Sequence, residues 1–434
     1  MKLFHNLSQA VVESLHEIFV EKRYADKVIE KVLKQNPKWG ARDRRFIAET
    51  TYDIVRWHRL FTTIMDCDGE DFWKLLHAWC IWNKIATPDW EEFGAVDKGK
   101  FFERYDKIKA TTKIRESIPD WLDDLGRNEL GKTWDKEIQA LNEQAKVVLR
   151  VNTLKIDRTN LKQQLEEEQI MSDAPKEFPD ALILEERQNI FTRQQFKDGL
   201  FEIQDAGSQT IAPFLQVSPG QRVIDACAGG GGKTLHLASL LNNKGRIIAL
   251  DTEAWKLDEL KKRARRAGAS DTIETRAIDS SKVIKRLENS ADRLLLDVPC
   301  SGLGVIRRNP DAKWKLSIEF IEKVKTIQQT ILNDYSSMLK VGGLMVYSTC
   351  SILPSENEKQ VEQFLNTHQG KFELQEQRSI MPSEGFDGLF MAMIKRVYLT
   401  QRRPEEYCLW PFLNTWQIPS AIAAVKGILR LLLQ

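Results

Sequence analysis

The sequence predicts an α/β protein, a doubly wound and mostly parallel sheet preceded by an all-α N-terminal domain. Three observations carry this. From Leu200 onward, apolar strand candidates alternate with amphipathic helices. The first strand of that series runs into a glycine-rich turn that opens a helix, the layout of a ligand-binding βα unit. Before about Arg150, apolar residues recur at helical spacing with few β-branched alternations.

The N-terminal domain, residues 1–140, rests on Leu7, Val11, Val12, Leu15, Ile18 and Phe19, then on Phe46, Ile47, Ile54 and Val55. Its tryptophans, among them Trp39, Trp57, Trp73, Trp79, Trp82, Trp90, Trp121 and Trp134, read as core filler, since aromatic side chains bring large buried areas. A small linking α/β subdomain, 141–200, follows: the strand-like run VVLRVNTL, a helix over Thr159 to Glu168, and a strand around Ala181 to Leu184. The α/β domain, 201–398, contains the strand candidates VIDA, RIIALD, LLLDVP and LMVYST. A long helix from Ser317 to Lys340, ended by Val341, Gly342 and Gly343, supplies a crossover between parallel strands. The stretch Gly385 to Arg396 reads as an edge strand. The tail, 399–434, includes a weakly amphipathic helix over Ser420 to Leu433 and has no assigned role.

The chain has 434 residues, 42% of them hydrophobic and 29% charged, enough apolar material for two or three buried cores. Lys+Arg total 64 against 62 Asp+Glu, a formal charge of +2, which excludes a polycation that binds by charge alone. The six cysteines, Cys67, Cys80, Cys227, Cys300, Cys350 and Cys408, form no C-x-x-C pair, so neither a metal site nor a disulfide framework is expected. Glu13, His16 and Glu17 interrupt what a signal peptide would need, and Lys426 and Arg430 interrupt the apolar run Ala421 to Leu433. A cytoplasmic protein with no membrane partner, monomeric, is the expectation.

The first chemical motif is D-A-C-A-G-G-G-G-K-T, Asp225 to Thr234. Glycines without Cβ atoms let backbone N–H groups and the helix N-terminus approach a ligand closely. A P-loop would need glycine at position 227, which is Cys227; a dinucleotide fingerprint starting at Gly229 would need it at position 234, which is Thr234. With both excluded, the loop suits S-adenosylmethionine or is a purely structural glycine turn. Asp251, ending the next strand, is placed to accept ribose hydroxyls, and Asp279 to accept from the adenine amino group.

The second motif, L-L-L-D-V-P-C-S-G-L-G-V-I-R-R, ends a strand at Asp297 and holds Cys300 in the following loop. The third, Y-S-T-C-S-I-L-P-S-E-N-E, does the same for Cys350. Two thiols beside a methyl-donor loop suit one chemistry. Pyrimidine C5 becomes nucleophilic only after a thiolate adds to C6, and a second acid/base group must then help the C5 proton and the thioether leave.

These motifs resemble the RNA cytosine-5 methyltransferases of the Nop/Sun (Fmu) class, most closely the RsmB-type 16S ribosomal RNA enzymes. The pair D-V-P-C-S-G and S-T-C-S carries the resemblance, with R-V-N-T-L-K at Arg150 to Lys155 and I-Q-D-A-G-S-Q at Ile203 to Gln209. A-R-D-R-R-F-I-A-E-T-T-Y-D-I-V-R-W, Ala41 to Trp57, is similar to the NusB-like helical domain of the ribosomal members. The resemblance implies a Rossmann-like methyltransferase core and 16S rRNA as substrate. It makes Cys350 the nucleophile, Cys300 the aid to proton loss and product release, and Asp297 the group facing the cytosine N3/N4 edge and the cofactor. S-adenosylmethionine would be held by Cys227, Ala228, Gly229, Gly230, Gly231, Gly232 and Lys233 with Asp251, Asp279 and Asp297. The family loop usually reads C-A-A-P-G-G-K-T; here Gly229 and Gly230 replace Ala and Pro, an added backbone freedom of about 0.5 to 1 kcal/mol each.

RNA contact is expected from Arg307 and Arg308, which follow the catalytic loop and are flanked by Lys313. Further candidates are Lys261, Lys262, Arg263, Arg265 and Arg266, and Lys282, Lys285 and Arg286. A paired cytosine must be extruded to reach Cys350, at a few kcal/mol. Transfer-RNA methylation by the same chemistry, and a non-catalytic RNA-binding assembly factor, are the alternatives.

Overall fold

The protein is described by a computed structural model covering residues 2–398. The tail 399–434, its expected helix and Cys408 lie outside the described residues. The chain divides into two units. Among the described residues, the first takes 2–144 together with 305–320, and the second takes 145–304 and 321–398.

The first unit is helical: α1 (His5–Phe19), α2 (Ala25–Gln35), α3 (Ala41–Met65), α4 (Phe72–Trp82), α5 (Lys98–Ile108), α6 (Asp120–Leu130) and α7 (Trp134–Leu141). Leu7, Val11, Leu15 and Ile18 form one buried stripe of α1, and Ile47, Ile54, Val55 and Phe61 one of α3. Trp79 and Trp134 are buried, and Trp39, Trp57, Trp73, Trp82 and Trp90 pack against the core.

Helix α3 is kinked at Trp57 (φ −105°, ψ 18°), which breaks its hydrogen-bond ladder. The freed N–H groups of Arg59 and Leu60 donate to Ser117 Oγ (2.9 and 3.3 Å), while the freed carbonyls of Val55 and Arg56 accept from Trp314 Nε1 and Lys313 Nζ (both 2.7 Å). Arg307 is likewise buried, donating to the Ala140 carbonyl (3.0 Å) and accepting on its own carbonyl from Arg56 (3.0 Å). The expectation that Arg307, flanked by Lys313, clamps RNA phosphates is therefore corrected. Both side chains are consumed in satisfying backbone carbonyls inside the helical unit, a demand that a run of basic residues does not reveal. Arg308 is half-buried in the same segment.

The second unit contains two sheets. The smaller is antiparallel in the order β2-β3-β1-β4, from β1 (Val148–Val151), β2 (Ser172–Asp173), β3 (Ala181–Leu184) and β4 (Phe201–Ile203), with α8 (Arg158–Glu167) between β1 and β2. Because β4 pairs with β1, this sheet extends beyond residue 200.

The larger sheet holds β5 (Arg222–Asp225), β6 (Arg246–Asp251), β7 (Ile273–Ala277), β8 (Ala291–Asp297), β9 (Leu339–Thr349), β10 (Phe372–Ile380) and β11 (Leu389–Arg396), in the order β10-β11-β9-β8-β5-β6-β7. Strands β9 to β7 along that order are parallel, and β11 is antiparallel to both its neighbours. The crossovers include α9 (Gly232–Leu240), α10 (Ala254–Ala267) and α11 (Ile318–Tyr335); α12 (Glu358–Thr367) leads to β10. Two expectations change. The long helix stops at Tyr335, and β9 already begins at Leu339, so Gly342 and Gly343 lie in the strand. The expected edge strand β11 is interior: its first six residues are buried, as a strand flanked on both sides requires, while β10, almost wholly exposed between its ends, is the edge. No helix among the described residues is long and apolar enough to cross a membrane.

The glycine turn connects β5 to α9. Gly231 caps that helix at φ +86°, and a Cβ there would lie 2.5 Å from Leu260 Cγ on α10. Gly231→Ala should therefore lower stability by about 1 to 3 kcal/mol, through left-handed strain and overpacking together. Urea unfolding checks this against Gly342→Ala, whose added Cβ meets nothing within 4 Å although its φ is also positive. Equal losses in the two variants would show that the packing against Leu260 contributes nothing.

Candidate functional site

The parallel strands β5, β6 and β8 end in Asp225, Asp251 and Asp297, and β9 ends just before Cys350. These ends share the carboxyl edge of the sheet, where open α/β folds bind ligands. A cavity of about 200 Å³ lies there, lined by Cys227, Gly229, Asp251, Thr252, Lys256, Ile278, Asp297, Pro299, Cys300, Tyr335 and Cys350 among others.

Cys300 and Cys350, fifty residues apart, are brought together: their sulfurs are 3.0 Å apart, and the Cys350 N–H donates to Cys300 Sγ at 3.2 Å. Both are free thiols and both are partly exposed. The hydrogen bond with Cys350, burial and the nearby charges of Cys350 and Glu356 raise the Cys300 pKa well above its ordinary value, against a smaller lowering by the Gly302 N–H. A thiol pair so close does not carry two negative charges at once.

Asp297 is the polar anchor beside them. Its Oδ2 accepts from Lys233 Nζ (2.6 Å) and its Oδ1 from Ser348 Oγ (2.9 Å). Burial works against the charge of Lys233, but Asp297, with Cys350 and Asp225, outweighs it and raises the lysine pKa. One step deeper, Asp225 accepts from Thr234 Oγ1 (2.7 Å), and burial pushes its pKa up to about 7.

Of the glycine turn, Cys227 and Gly229 line the cavity. Gly229 takes φ +52° and its N–H donates to Asp251 Oδ2 (2.9 Å), so the turn and the β6 carboxylate are already joined. The other Asp251 oxygen accepts from the Glu253 N–H (2.8 Å), leaving one further lone pair on each oxygen. Ala228 is buried in the turn, Gly230 and Gly232 present their carbonyls to arginines, and Lys233 points to Asp297. Asp279 is exposed and accepts from Ser280 Oγ (3.0 Å); the cavity wall beside it is Ile278. Burial and nearby carboxylates raise the Cys227 thiol, which favours its neutral form. The cavity fits an adenosyl sulfonium cofactor by its donor set: a carboxylate at the end of β6, an exposed glycine backbone, an apolar wall at Ile278, and the buried, unpartnered hydroxyl of Thr252.

Sequence reasoning missed the brace behind this turn. Arg263 Nη1 donates to the Gly230 carbonyl (2.6 Å), Arg150 Nη1 donates to the Gly232 carbonyl and to Gln204 Oε1 (2.5 Å), and Glu202 pairs with Arg263 (2.9 Å) and Arg266 (2.5 Å). Arg263 and Arg266, read as RNA contacts, are thus committed to the turn and the small sheet, which corrects that part of the basic cluster. Lys256 and Tyr335 also line the cavity; Tyr335 belongs to an apolar helix stripe, so its sequence signal was that of core.

Comparison with known proteins follows the same lines. Residues 212–395 match a family model described as 16S rRNA methyltransferase RsmB/F, and residues 118–191 match one described as an RsmF/B-like, ferredoxin-like domain. A probable ribosomal RNA small subunit methyltransferase B of Synechocystis is 29% identical over 393 residues, 82% of this chain and 88% of the relative. The ribosomal RNA small subunit methyltransferase B of Salmonella paratyphi B is 32% identical over 293 residues, 66% of this chain and 68% of the relative. A solved structure described as NSun6 from Pyrococcus horikoshii with SFG superposes with a TM-score of 0.59 at 22% identity, covering 64% of this chain and 98% of its own; it shares the fold.

The raised pKa of Asp225 has a stability consequence. Its folded value, about 7, lies above the unfolded value of 3.8, so the folded state binds the proton more tightly and this group's contribution is lost as pH rises between them. Asp225→Asn keeps an acceptor for Thr234 and removes that loss. The variant's stability relative to wild type should rise by up to a few kcal/mol from about pH 4 to about pH 7, read as urea midpoints. A difference that does not change with pH would mean that Asp225 is ionised throughout.

Proposed function

The chain belongs to the RsmB/F family of 16S ribosomal RNA methyltransferases, and on that premise we propose that it is an S-adenosylmethionine-dependent RNA cytosine-5 methyltransferase acting on 16S rRNA. The observation that carries the chemistry is the pair of free thiols, 3.0 Å apart, beside the Lys233–Asp297 pair at the end of the glycine-turn cavity. One thiol attacks and the other handles the proton.

The cofactor would sit against Cys227, Gly229, Asp251 and Ile278, with Asp297 at its reactive end; when bound, it supplies an electrophilic methyl group. The residues of this chain do the rest. Asp297, paired with Lys233 and oriented by Ser348, offers its remaining lone pairs to the amino edge of an extruded cytosine. Cys350 adds to C6 as thiolate, forming the S–C6 bond and passing electron density to C5, which becomes the methyl acceptor. Once Cys350 is a thioether, the negative neighbour that held the Cys300 proton is gone. Cys300 then loses its proton to solvent and takes the C5 proton as a thiolate. The C5–C6 double bond reforms, the S–C6 bond breaks, and Cys350 is regenerated. Tyr335 and Ile331 form the apolar wall that limits water at these sulfurs.

Two measurements test this reading. Cys300→Ala should accumulate a denaturant-resistant protein–RNA adduct, because addition proceeds while release stalls, and Cys350→Ala should form none. An adduct that requires Cys300 instead would exchange the two roles. Bisulfite sequencing of total RNA from a strain lacking the gene should show the loss of a 16S rRNA methylcytosine; loss in transfer RNA with 16S rRNA unchanged would refute the substrate.

A further inference from the structure

Behind the two thiols lies a carboxylate that the reaction above does not use. Glu356 is fully buried and does not line the cavity. Its Oε2 accepts from the Ser301 N–H (2.7 Å) and Gln328 Nε2 (3.1 Å), and its Oε1 from the hydroxyls of Ser301 and Ser351 (both 2.5 Å). Each hydroxyl already accepts a backbone N–H, Ser301 from Leu303 (3.3 Å) and Ser351 from Leu353 (3.2 Å), so its own proton is free to point at the carboxylate. Burial raises the Glu356 pKa, and the four donors that converge on its two oxygens work against that burial by favouring the anion.

Ser301 and Ser351 are the residues that directly follow Cys300 and Cys350. A single buried carboxylate therefore clasps the two cysteine loops to each other. Gln328 extends the clasp to α11 and also donates to the Pro299 carbonyl (3.0 Å), next to Cys300. The charges around the sulfur pair are unequal. The Lys233 cation acts on Cys350, whereas the Glu356 anion acts on Cys300. Tyr347, whose hydroxyl donates to the Glu356 carbonyl (2.6 Å), is the other titratable group facing Glu356, and it is neutral because burial and that same carboxylate hold its proton.

We propose that Glu356 is a positioning residue that clasps the two cysteine loops together and sets its carboxylate on the Cys300 side of the sulfur pair, which assigns attack to Cys350 and proton handling to Cys300. The inference deepens the proposed reaction and rests on it for its meaning, but its test needs no RNA. Alkylation of the full-length protein with iodoacetamide across a pH series, read by peptide mass spectrometry, gives a labelling midpoint for each cysteine. Glu356→Gln keeps the shape and removes the charge; it should bring the Cys300 midpoint down by about one unit, a tenfold gain in labelling at fixed pH. It should also lower kcat at least tenfold while the KM for RNA changes little. An unmoved Cys300 midpoint in the folded variant overturns the proposal.

Should Glu356→Gln fail to fold, the Ser301→Ala, Ser351→Ala double variant decides. It keeps the carboxyl group but strips two of the donors that favour its anion against burial, so Glu356 should lose negative charge and Cys300 should label at lower pH than in wild type, the same direction as Glu356→Gln. An unchanged midpoint there overturns the proposal as well. Absence of the RNA adduct in the preceding experiment would refute the cytosine chemistry and leave these labelling results standing.

Discussion

The site depends on the parallel register of β8 and β9, which sets Asp297 beside Ser348. From that pair the two chains run on a few residues, to Cys300 in one loop and Cys350 in the other, and the sulfurs meet because both loops leave the sheet at the same level. A slip of one residue would turn each side chain to the opposite face and carry Ser348 away from Asp297. The register is fastened from beyond the strands as well. The Gly304 N–H donates to the Cys350 carbonyl (2.9 Å), and the Gly388 N–H, just before β11, donates to the Gly304 carbonyl (2.8 Å). The approach is so close that a Cβ on Gly304 would lie 2.0 Å from the Gly388 oxygen. An interior β11 is thus part of the site's construction, because its start closes the loop that carries Cys300.

Buried charge here serves placement more than stability. Glu202 with Arg263 and Arg266, and Lys233 with Asp297, take ions out of water, and a buried pair commonly recovers little more than its desolvation cost. What each pair does is aim a group: the arginines fix the carbonyls of the glycine turn, and Lys233 holds the Asp297 carboxylate in place at the cavity. Removing one partner leaves a buried charge without its counter-ion, which costs several kcal/mol, so these positions tolerate change poorly even where the intact pair adds little.

How much of this was legible in the sequence follows from what a one-dimensional pattern encodes. RIIALD gave β6 to the residue, because a short apolar run between turn residues has few other readings. The cysteine motifs revealed which residues the strand ends would present. Strand order was less accessible: the alternation of β11 is the same for an edge or an interior strand, and only its pairing with β9 and β10 separates the two. Arg307 and Lys313 read as solvated basic residues because the carbonyls they satisfy, of Ala140 and Arg56, lie far away in sequence and are exposed by a kink at Trp57 that has no strong local signal. Glu356 stood in a quoted motif, yet its partners come from three separate segments, and polar side chains at such a distance carry no periodicity.

The asymmetry of the thiol pair follows from magnitudes. Two thiolates 3.0 Å apart would repel by about 5 kcal/mol at an effective dielectric of about 20, several pKa units' worth, so at neutral pH the pair carries at most one negative charge. The proton that remains is shared, and its location is set by a much smaller quantity, the difference in field between two neighbouring sulfurs. About 1.4 kcal/mol shifts that balance tenfold, which a lysine on one side and a buried carboxylate on the other readily supply. Two chemically identical side chains can thus hold different roles without any difference in their own structure. The division of labour resides in the residues that surround the pair, and it persists only while the loops stay close enough for one proton to serve both.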